Sequence, residues 1–214
     1  MKRLIIILAL MLQSGSTFSY DPPKSLEWGM SYLDVKEKLS TEHGIKVKGL
    51  NQKNPGKAYR EYPELQLPDG YFRSEAKKIK LLKKKAKRTY TIYDQDSSLT
   101  AFHYILKWDN DKSYKGMRKC WVYHSNIKAA LIKKYGEPNE DEVTELIRAE
   151  NMPSGTKYVT TWKDEDGSKI YLEITRQTHN IIIGKVDAFL IFVLYFSPSM
   201  DPQEPALPID DDEI

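Results

Sequence analysis

The chain has 214 residues, with 33 basic residues against 30 acidic ones and a single cysteine. This length suits one substantial domain or two small ones packed together. A single cysteine excludes an intramolecular disulfide, so the fold is expected to rely on an ordinary apolar core. The sequence also has no glycine-rich phosphate loop and no Gly-x-Ser-x-Gly elbow, which argues against the common nucleotide-binding and serine-hydrolase sites.

The first 19 residues have the layout of a secretory signal peptide. Lys2 and Arg3 form a positive start, residues 4–12 are apolar, and Thr17-Phe18-Ser19 is a small-x-small cleavage site. The apolar run is well short of the roughly 20 residues that span a bilayer, so a signal peptide is favoured over a membrane helix. We predict cleavage after Ser19, with no transmembrane helix in the mature chain. No cysteine follows for a lipid anchor, so the mature protein is expected to be periplasmic or secreted.

A short helix is predicted from Ser31 to His43. Ser31 can cap its first turn, with Asp34 answering as in a capping box, and a glycine directly after His43 can end it. Val35 and Leu39 then lie on one face of the helix.

From Lys46 to Ala76 the periodicity fades and prolines and glycines interrupt the chain, which predicts a long loop or insertion. Its aromatic residues lie near basic ones, a combination that can bind nucleic acid or sugars by charge and stacking. Export argues against nucleic acid as a partner, and tyrosines that hold a loop on the body of the protein are the alternative interpretation. The candidate binding aromatics are Tyr59, Tyr62, Tyr71 and Phe72.

Residues 73–88 form the most basic segment, with nine basic residues and one acidic residue. Ile79, Leu82 and Ala86 have helical spacing, whereas Ile79 and Leu81 alternate as in a strand. A helix here would be a cationic amphipathic element suited to an anionic lipid, glycolipid or acidic partner. An edge strand would instead use its lysines to prevent sheet-to-sheet aggregation. The candidate binding residues are Lys77, Lys78, Lys80, Lys83, Lys84, Lys85, Lys87 and Arg88.

A long amphipathic helix is predicted within residues 113–138, and Gly136 followed by Glu137 and Pro138 marks its end. Its apolar stripe recurs at steps of three and four. The residues of that stripe are Met117, Cys120, Trp121, His124, Ile127, Leu131 and Tyr135.

Antiparallel hairpins are predicted on both sides of this helix. One joins Arg88–Asp94 to Leu99–Trp108, and the other joins Lys157–Lys163 to Lys169–Arg176. The almost continuously apolar stretch Val186–Phe196 is expected to be the buried centre of the sheet.

Two other segments complete the chain. A short helix is predicted from Glu140 to Asn151, capped by Asn139. Prolines and acids from Pro198 onward predict a disordered acidic tail, which either folds back on the basic segment or improves solubility.

Candidate catalytic and metal-binding residues are few. Cys120 and His124 lie four residues apart and would share a helix face, but two residues make an incomplete zinc site. A thiol on the apolar stripe is expected to be buried and inert. The stretch that starts at Asp109 begins like a calcium loop but has Tyr114 where glycine is needed. We predict no metal, no cofactor and no catalytic residue.

The order of elements predicts an α+β fold, with helices packed on one face of an antiparallel sheet. It also suggests two degenerate repeats of a helix-then-strands unit, at 20–110 with the insertion and at 111–198, before a tail at 199–214.

Short motifs in both units resemble the SmpA/OmlA (BamE-like) family of small bacterial envelope proteins. The family lipidates a cysteine that this chain lacks, and the long insertion is unlike the family. The matching residues are Trp28-Gly29-Met30-Ser31 with Val35 and Leu39, and Leu131 with Tyr135-Gly136-Glu137-Pro138, Trp162, Gly167 and Ile170-Tyr171-Leu172. The resemblance implies helices on one face of an antiparallel sheet in a non-catalytic envelope protein. The two units are also similar to the tandem architecture of the β-lactamase inhibitor proteins.

We therefore expect an exported binding or scaffold protein of the bacterial envelope. Its partner would be an envelope protein or an anionic lipid or glycan, held by the basic segment and the aromatic insertion. The alternatives are a secreted or periplasmic hydrolase and a protein inhibitor of an exported enzyme. The oligomeric state does not follow from the sequence.

Overall fold

The structure is a computed structural model of the chain, and it describes residues 20–52, 69–108, 114–142, 156–181 and 184–200. Within these ranges it contains two helices, a large sheet and a two-stranded ribbon. The helices are α1 (Tyr32–His43) and α2 (Tyr114–Tyr135). The strands are β1 (Phe72–Glu75), β2 (Lys80–Leu81), β3 (Lys84–Lys85), β4 (Arg88–Tyr93), β5 (Leu99–Trp108), β6 (Glu140–Asp141), β7 (Lys157–Lys163), β8 (Lys169–Ile181) and β9 (Gly184–Phe196).

Seven strands form one antiparallel sheet in the order β1-β4-β5-β9-β8-β7-β6. Within the described ranges, β2 pairs only with β3. The predicted α+β class with an antiparallel sheet is therefore confirmed. β9 has three strands on each side, and its residues from Ala188 to Phe196 are all buried. The prediction that this apolar stretch forms the centre of the sheet is also confirmed.

Local capping signals set both ends of α1. Ser31 is the N-cap, its Oγ accepts the backbone N–H of Asp34 at 3.2 Å, and its hydroxyl donates to the Asp34 carboxylate at 2.7 Å. Gly44 takes the left-handed conformation at φ 60° and donates its backbone N–H to the last turn. Val35 and Leu39 are fully buried, as the spacing predicted.

Helix α2 ends where the glycine predicted. Gly136 has a φ of 84° and donates its N–H to the Ile132 carbonyl at 2.8 Å. The Gly136 carbonyl accepts the indole N–H of Trp162 at 2.9 Å, which attaches the end of α2 to β7. The predicted stripe is buried at Cys120, His124, Ile127 and Leu131, while Trp121 and Tyr135 are partly buried.

Alternating side chains divide the core into two apolar clusters. Along β9, Phe189, Ile191, Val193 and Tyr195 belong to the cluster that also contains buried residues of α1 and α2. The intervening residues Leu190, Phe192, Leu194 and Phe196 belong to the other cluster. Among the described residues, the members of this second cluster lie on strands or close to a strand end, and none lies on a helix. The alternation places the two clusters on opposite faces of the sheet.

Two predicted segments differ in extent from the structure. The segment predicted as a loop contains β1, which pairs with β4. Arg73 of this strand also bridges to Asn51, and Ala76, directly after it, bridges to Val47. β8 extends five residues beyond the predicted Arg176 because the hairpin with β9 continues to its tip.

The helix predicted from Glu140 is wrong at its start, because Glu140 and Asp141 form β6 against β7. Asn139 does not cap a helix here; its Oδ1 accepts the backbone N–H of Lys163 at 2.6 Å. The rest of that predicted helix, residues 143–151, lies outside the described residues.

Candidate binding surface

The basic segment forms a small hairpin rather than a helix. Residues 77–88, which we name the basic hairpin, contain β2 and β3, which pair Lys80 with Lys85 and Leu81 with Lys84. This ribbon connects β1 to β4 without joining the large sheet. The structure thus excludes the helical interpretation and gives a separate two-stranded ribbon in place of an edge strand of the main sheet.

Two buried residues attach the basic hairpin to the core. Ile79 and Ala86 are 1% and 6% exposed, and the N–H of Ala86 donates to the carbonyl of Ile79 at 2.9 Å. Their helical spacing in the sequence arose because they are partners across the ribbon, and not because they share a helix face. Most of the candidate basic residues remain exposed, and Lys84 is half-buried.

A tyrosine on α2 fixes the tip of the basic hairpin. The Tyr123 hydroxyl donates to the carbonyl of Leu81 and lies 3.2 Å from that of Leu82. Burial raises the pKa of the Tyr123 phenol. The neutral, donating form of this phenol is therefore favoured at physiological pH. The basic hairpin is consequently held against α2 rather than extended into solvent.

The side of α2 near this contact is also cationic. The helix has six basic residues and no acidic residue, and Arg118 and Lys119 are exposed in the turn before Tyr123. No acid occurs from Ala76 to Arg88 either. The Tyr123 contact brings these two acid-free segments together, and their excess of basic side chains attracts anions over about 8–10 Å at physiological salt.

Two apolar side chains stand out on this basic surface. Leu82, at the tip of the hairpin, is 44% exposed, and Val122, next to Tyr123 on α2, is 53% exposed. Sequence spacing left Leu82 open to a helix or a strand interpretation, and it did not single out Val122 or Tyr123 as surface residues. A sequence signal was present only for Val122, which falls outside the spacing of the buried stripe of α2.

The predicted aromatic insertion divides into two parts. Tyr59 and Tyr62 lie outside the described residues. Tyr71 and Phe72 are half-buried, and they pack against the second and the first apolar cluster, respectively. These two rings therefore hold the chain on the core, as the alternative interpretation expected, and the structure does not bring them to the basic hairpin.

The buried thiol and imidazoles have environments that favour their neutral forms. Burial raises the pKa of the Cys120 thiol to about 12, although the nearby charge of Lys84 acts in the opposite direction. Burial lowers the pKa of His124 to about 4 and that of His103 to about 3. Among the described residues, neither ring nitrogen of His124 has a hydrogen-bond partner.

Within the described ranges, no group of three or more His, Cys, Asp or Glu side chains is placed to hold a metal ion. Cys120 and His124 share the buried stripe of α2, as predicted, but no third such group joins them there. Of the helices described, neither is long and apolar enough to cross a membrane. Comparison of the chain with family models, with curated proteins and with solved structures found no match.

Proposed function

We propose that this chain is an exported, non-catalytic binding protein of the bacterial envelope whose basic hairpin contacts an anionic partner. The partner is an envelope protein or an anionic lipid or glycan. The observation that carries the proposal is the tip of the basic hairpin, where a strained backbone presents an exposed leucine next to a run of lysines. Three features support this assignment: the backbone conformation, the charge around the tip and the hydrogen-bonded attachment to α2.

The tip is a two-residue turn in an unfavourable conformation. Its central residues, Leu82 and Lys83, have φ angles of 42° and 71°, in the left-handed region. Asparagine and glycine are the usual residues at both positions of such a turn, since other side chains meet steric resistance there. Backbone strain of this kind is often found at functional sites, where the surrounding structure maintains it.

Burial does not compensate for this strain. Leu82 is 44% exposed and so gains only part of the hydrophobic stabilisation of a buried leucine. In a binding protein, its side chain would instead be buried in the complex, with the surrounding lysines contacting anionic groups. An apolar anchor with a charged rim is the usual construction of a protein interface.

The contacts of the basic hairpin with α2 and with the core also suit a binding role. Hydrogen bonds from Tyr123 and burial of Ile79 and Ala86 order the hairpin before any partner arrives. A pre-ordered contact surface loses less conformational entropy on binding than a flexible lysine-rich loop would.

We further propose that the fold consists of two α-then-β units with both helices on one face of the sheet. Helix α1 is followed by β1, β4 and β5, helix α2 by β7, β8 and β9, and the last strands of the two units pair at the centre. Buried residues of both helices join the same cluster as one face of β9. This arrangement supports the resemblance to the SmpA/OmlA family, and the signal-like residues 1–19 support export.

A substitution at the tip separates folding from binding. Changing Leu82→Asn together with Lys83→Gly introduces the preferred turn residues, so stability should rise by roughly 1–2 kcal/mol. Binding should weaken because the apolar anchor and one charge are removed. Urea unfolding and retention of envelope components on the immobilised chain measure the two effects. Unchanged binding by this variant would contradict the proposal.

Charge reversal tests the electrostatic part. The double variant Lys83→Glu, Lys85→Glu should lose binding, whereas the matched variant Lys36→Glu, Lys133→Glu changes the net charge equally at exposed positions on α1 and α2. Binding to phosphatidylglycerol vesicles, with phosphatidylcholine vesicles as a reference, identifies a lipid partner. Capture of a protein from detergent-solubilised envelope identifies a protein partner. Equal loss in both variants would show only a general charge effect.

A further inference from the structure

Tyr20 is the residue that would begin the mature chain if cleavage occurs after Ser19, and three contacts hold it in place. It is 7% exposed, and its ring packs edge-on against Tyr135 with ring centroids 5.0 Å apart. Its carbonyl accepts the indole N–H of Trp28 at 3.1 Å. Its backbone N–H donates to the Oγ of Ser168 at 3.1 Å. The position of the Tyr20 nitrogen is therefore well defined in the folded protein.

Ser168 closes the turn between β7 and β8, which we name the acidic turn (Asp164–Ser168). The turn contains three acids, and the Asp166 carboxylate accepts the N–H of Ser168 at 2.7 Å. Burial and the charges of Asp164 and Asp166 raise the pKa of the Tyr20 phenol. The acidic turn and Tyr20 are thus close enough to interact electrostatically.

One oxygen of the acidic turn lacks a donor. Asp164 accepts the N–H of Glu165 at 2.8 Å through Oδ1. Its Oδ2 is buried, and no hydrogen-bond donor in the described ranges reaches it. A buried carboxylate oxygen without a donor is unfavourable, and a cation that donates hydrogen bonds is the group that best satisfies it.

We infer that the acidic turn is the binding site for the α-ammonium group that cleavage after Ser19 would create on Tyr20. Hydrolysis breaks the Ser19–Tyr20 amide bond, adds the hydroxyl of water to the Ser19 carbonyl carbon and adds its proton to the Tyr20 nitrogen. A further solvent proton gives the ammonium group. In the uncleaved chain the Tyr20 nitrogen has a single N–H, which donates to Ser168. After cleavage the same nitrogen has three N–H donors and a full positive charge, in the neighbourhood of Asp164 and Asp166.

This inference rests on the proposed export and processing of the chain, and it extends that proposal to the fold itself. The uncleaved chain has a neutral amide at this position, so only the processed chain has the ion pair. Cleavage would therefore stabilise the mature fold at the junction of its amino terminus with β7 and β8.

The charged groups around Tyr20 determine the pH dependence. Asp164 and Asp166 act on it from the acidic turn, and Lys163 and Lys169 lie on the flanking strands. On the side of α2, the Lys134 ammonium donates to the Tyr135 hydroxyl at 2.6 Å, and Asp21 follows Tyr20 in the chain. The carboxylates of Asp164 and Asp166 favour the charged amine, so the stabilisation should be present at neutral pH and be lost as the amine deprotonates above about pH 8.

The experiment compares two chains cut in vitro from a carrier, one beginning at Tyr20 and one beginning at Ser14. At pH 7 the chain that begins at Tyr20 should melt roughly 3–8 °C higher, and the difference should disappear near pH 10. Asp164→Asn should remove most of the difference, whereas Glu165→Gln, an equal change of charge at an exposed position of the same turn, should retain it.

Equal melting temperatures for the two chains at pH 7 would overturn the inference, and so would a difference that survives Asp164→Asn. If Asp164→Asn prevents folding, the pH dependence of the unmutated pair decides the question. Because both chains are cut in vitro, a negative result leaves the export proposal intact. Export is tested separately by the amino-terminal residue of protein recovered from the periplasm.

Discussion

Two buried histidines predict a loss of stability in mildly acidic solution. His103 lies on β5, where its ring packs edge-on against Phe196 at 5.3 Å, and His124 lies on the buried stripe of α2 near Trp121. Burial lowers the pKa of His103 to about 3 and of His124 to about 4, and the charge of Lys128 adds to the effect at His124. Both rings are therefore neutral in the folded protein at pH 5.

The unfolded chain behaves differently, because an exposed histidine titrates near pH 6.5. Above that pH both states are neutral and histidine contributes no pH dependence. As the pH falls below 6.5 the unfolded state takes up protons that the folded state does not, so folding stability decreases. At pH 5 the expected loss is about 2 kcal/mol for each histidine, or about 4 kcal/mol for the pair. That is a large part of the 5–15 kcal/mol typical of a domain.

Urea unfolding followed by tryptophan fluorescence at pH 8 and pH 5 measures this loss. The midpoint should fall by roughly 1–3 M urea between the two pH values. In the variant His103→Leu, His124→Leu most of the fall should disappear, whereas His43→Gln, at an exposed histidine, should leave it unchanged. The reasoning is refuted if the midpoint is the same at both pH values, or if the double variant retains the full decrease.

Three further substitutions or modifications test the local packing. Ser31→Ala removes the N-cap of α1 and should lower the free energy of unfolding by about 1 kcal/mol; no measurable change in urea would show that the cap is dispensable. Trp162→Phe removes the donor to the Gly136 carbonyl and part of a fully buried ring, so the free energy of unfolding should fall by about 2–4 kcal/mol. A fall below about 1 kcal/mol would show that this contact contributes little to stability. Cys120 should resist maleimide in the folded protein at pH 7, because its thiol is buried with a pKa of about 12, and labelling should proceed only as the chain unfolds; rapid labelling would contradict this environment.

Local signals account for the parts of the fold that could be predicted. Ser31 and Gly44 delimit α1, and Gly136 ends α2, because capping depends on the few residues around each helix end. The β4–β5 and β7–β8 hairpins follow from alternation and short turns, which are also local. The position of β9 followed from its continuous apolar character, which suits only a strand with partners on both sides.

The candidate site depended on contacts between distant parts of the chain. Ile79, Leu82 and Ala86 fit a helix by spacing alone, and only the pairing of β2 with β3 showed that Ile79 and Ala86 are buried while Leu82 lies at an exposed tip. The attachment of this tip to Tyr123 joins residues about 40 positions apart. Nothing in the composition of either segment specifies that contact.

The sequence by itself determined the α+β class, both ends of α1, the end of α2 and the strand at the centre of the sheet. Each of these depends on capping, periodicity or apolar character within one segment. Only the tertiary structure decided that β1 and β6 are strands, how the basic hairpin is formed and where the Tyr20 nitrogen lies. The physical reason is that short edge strands and exposed ribbons bury too little surface of their own to impose a pattern, so their conformation is set by the partners they pair with.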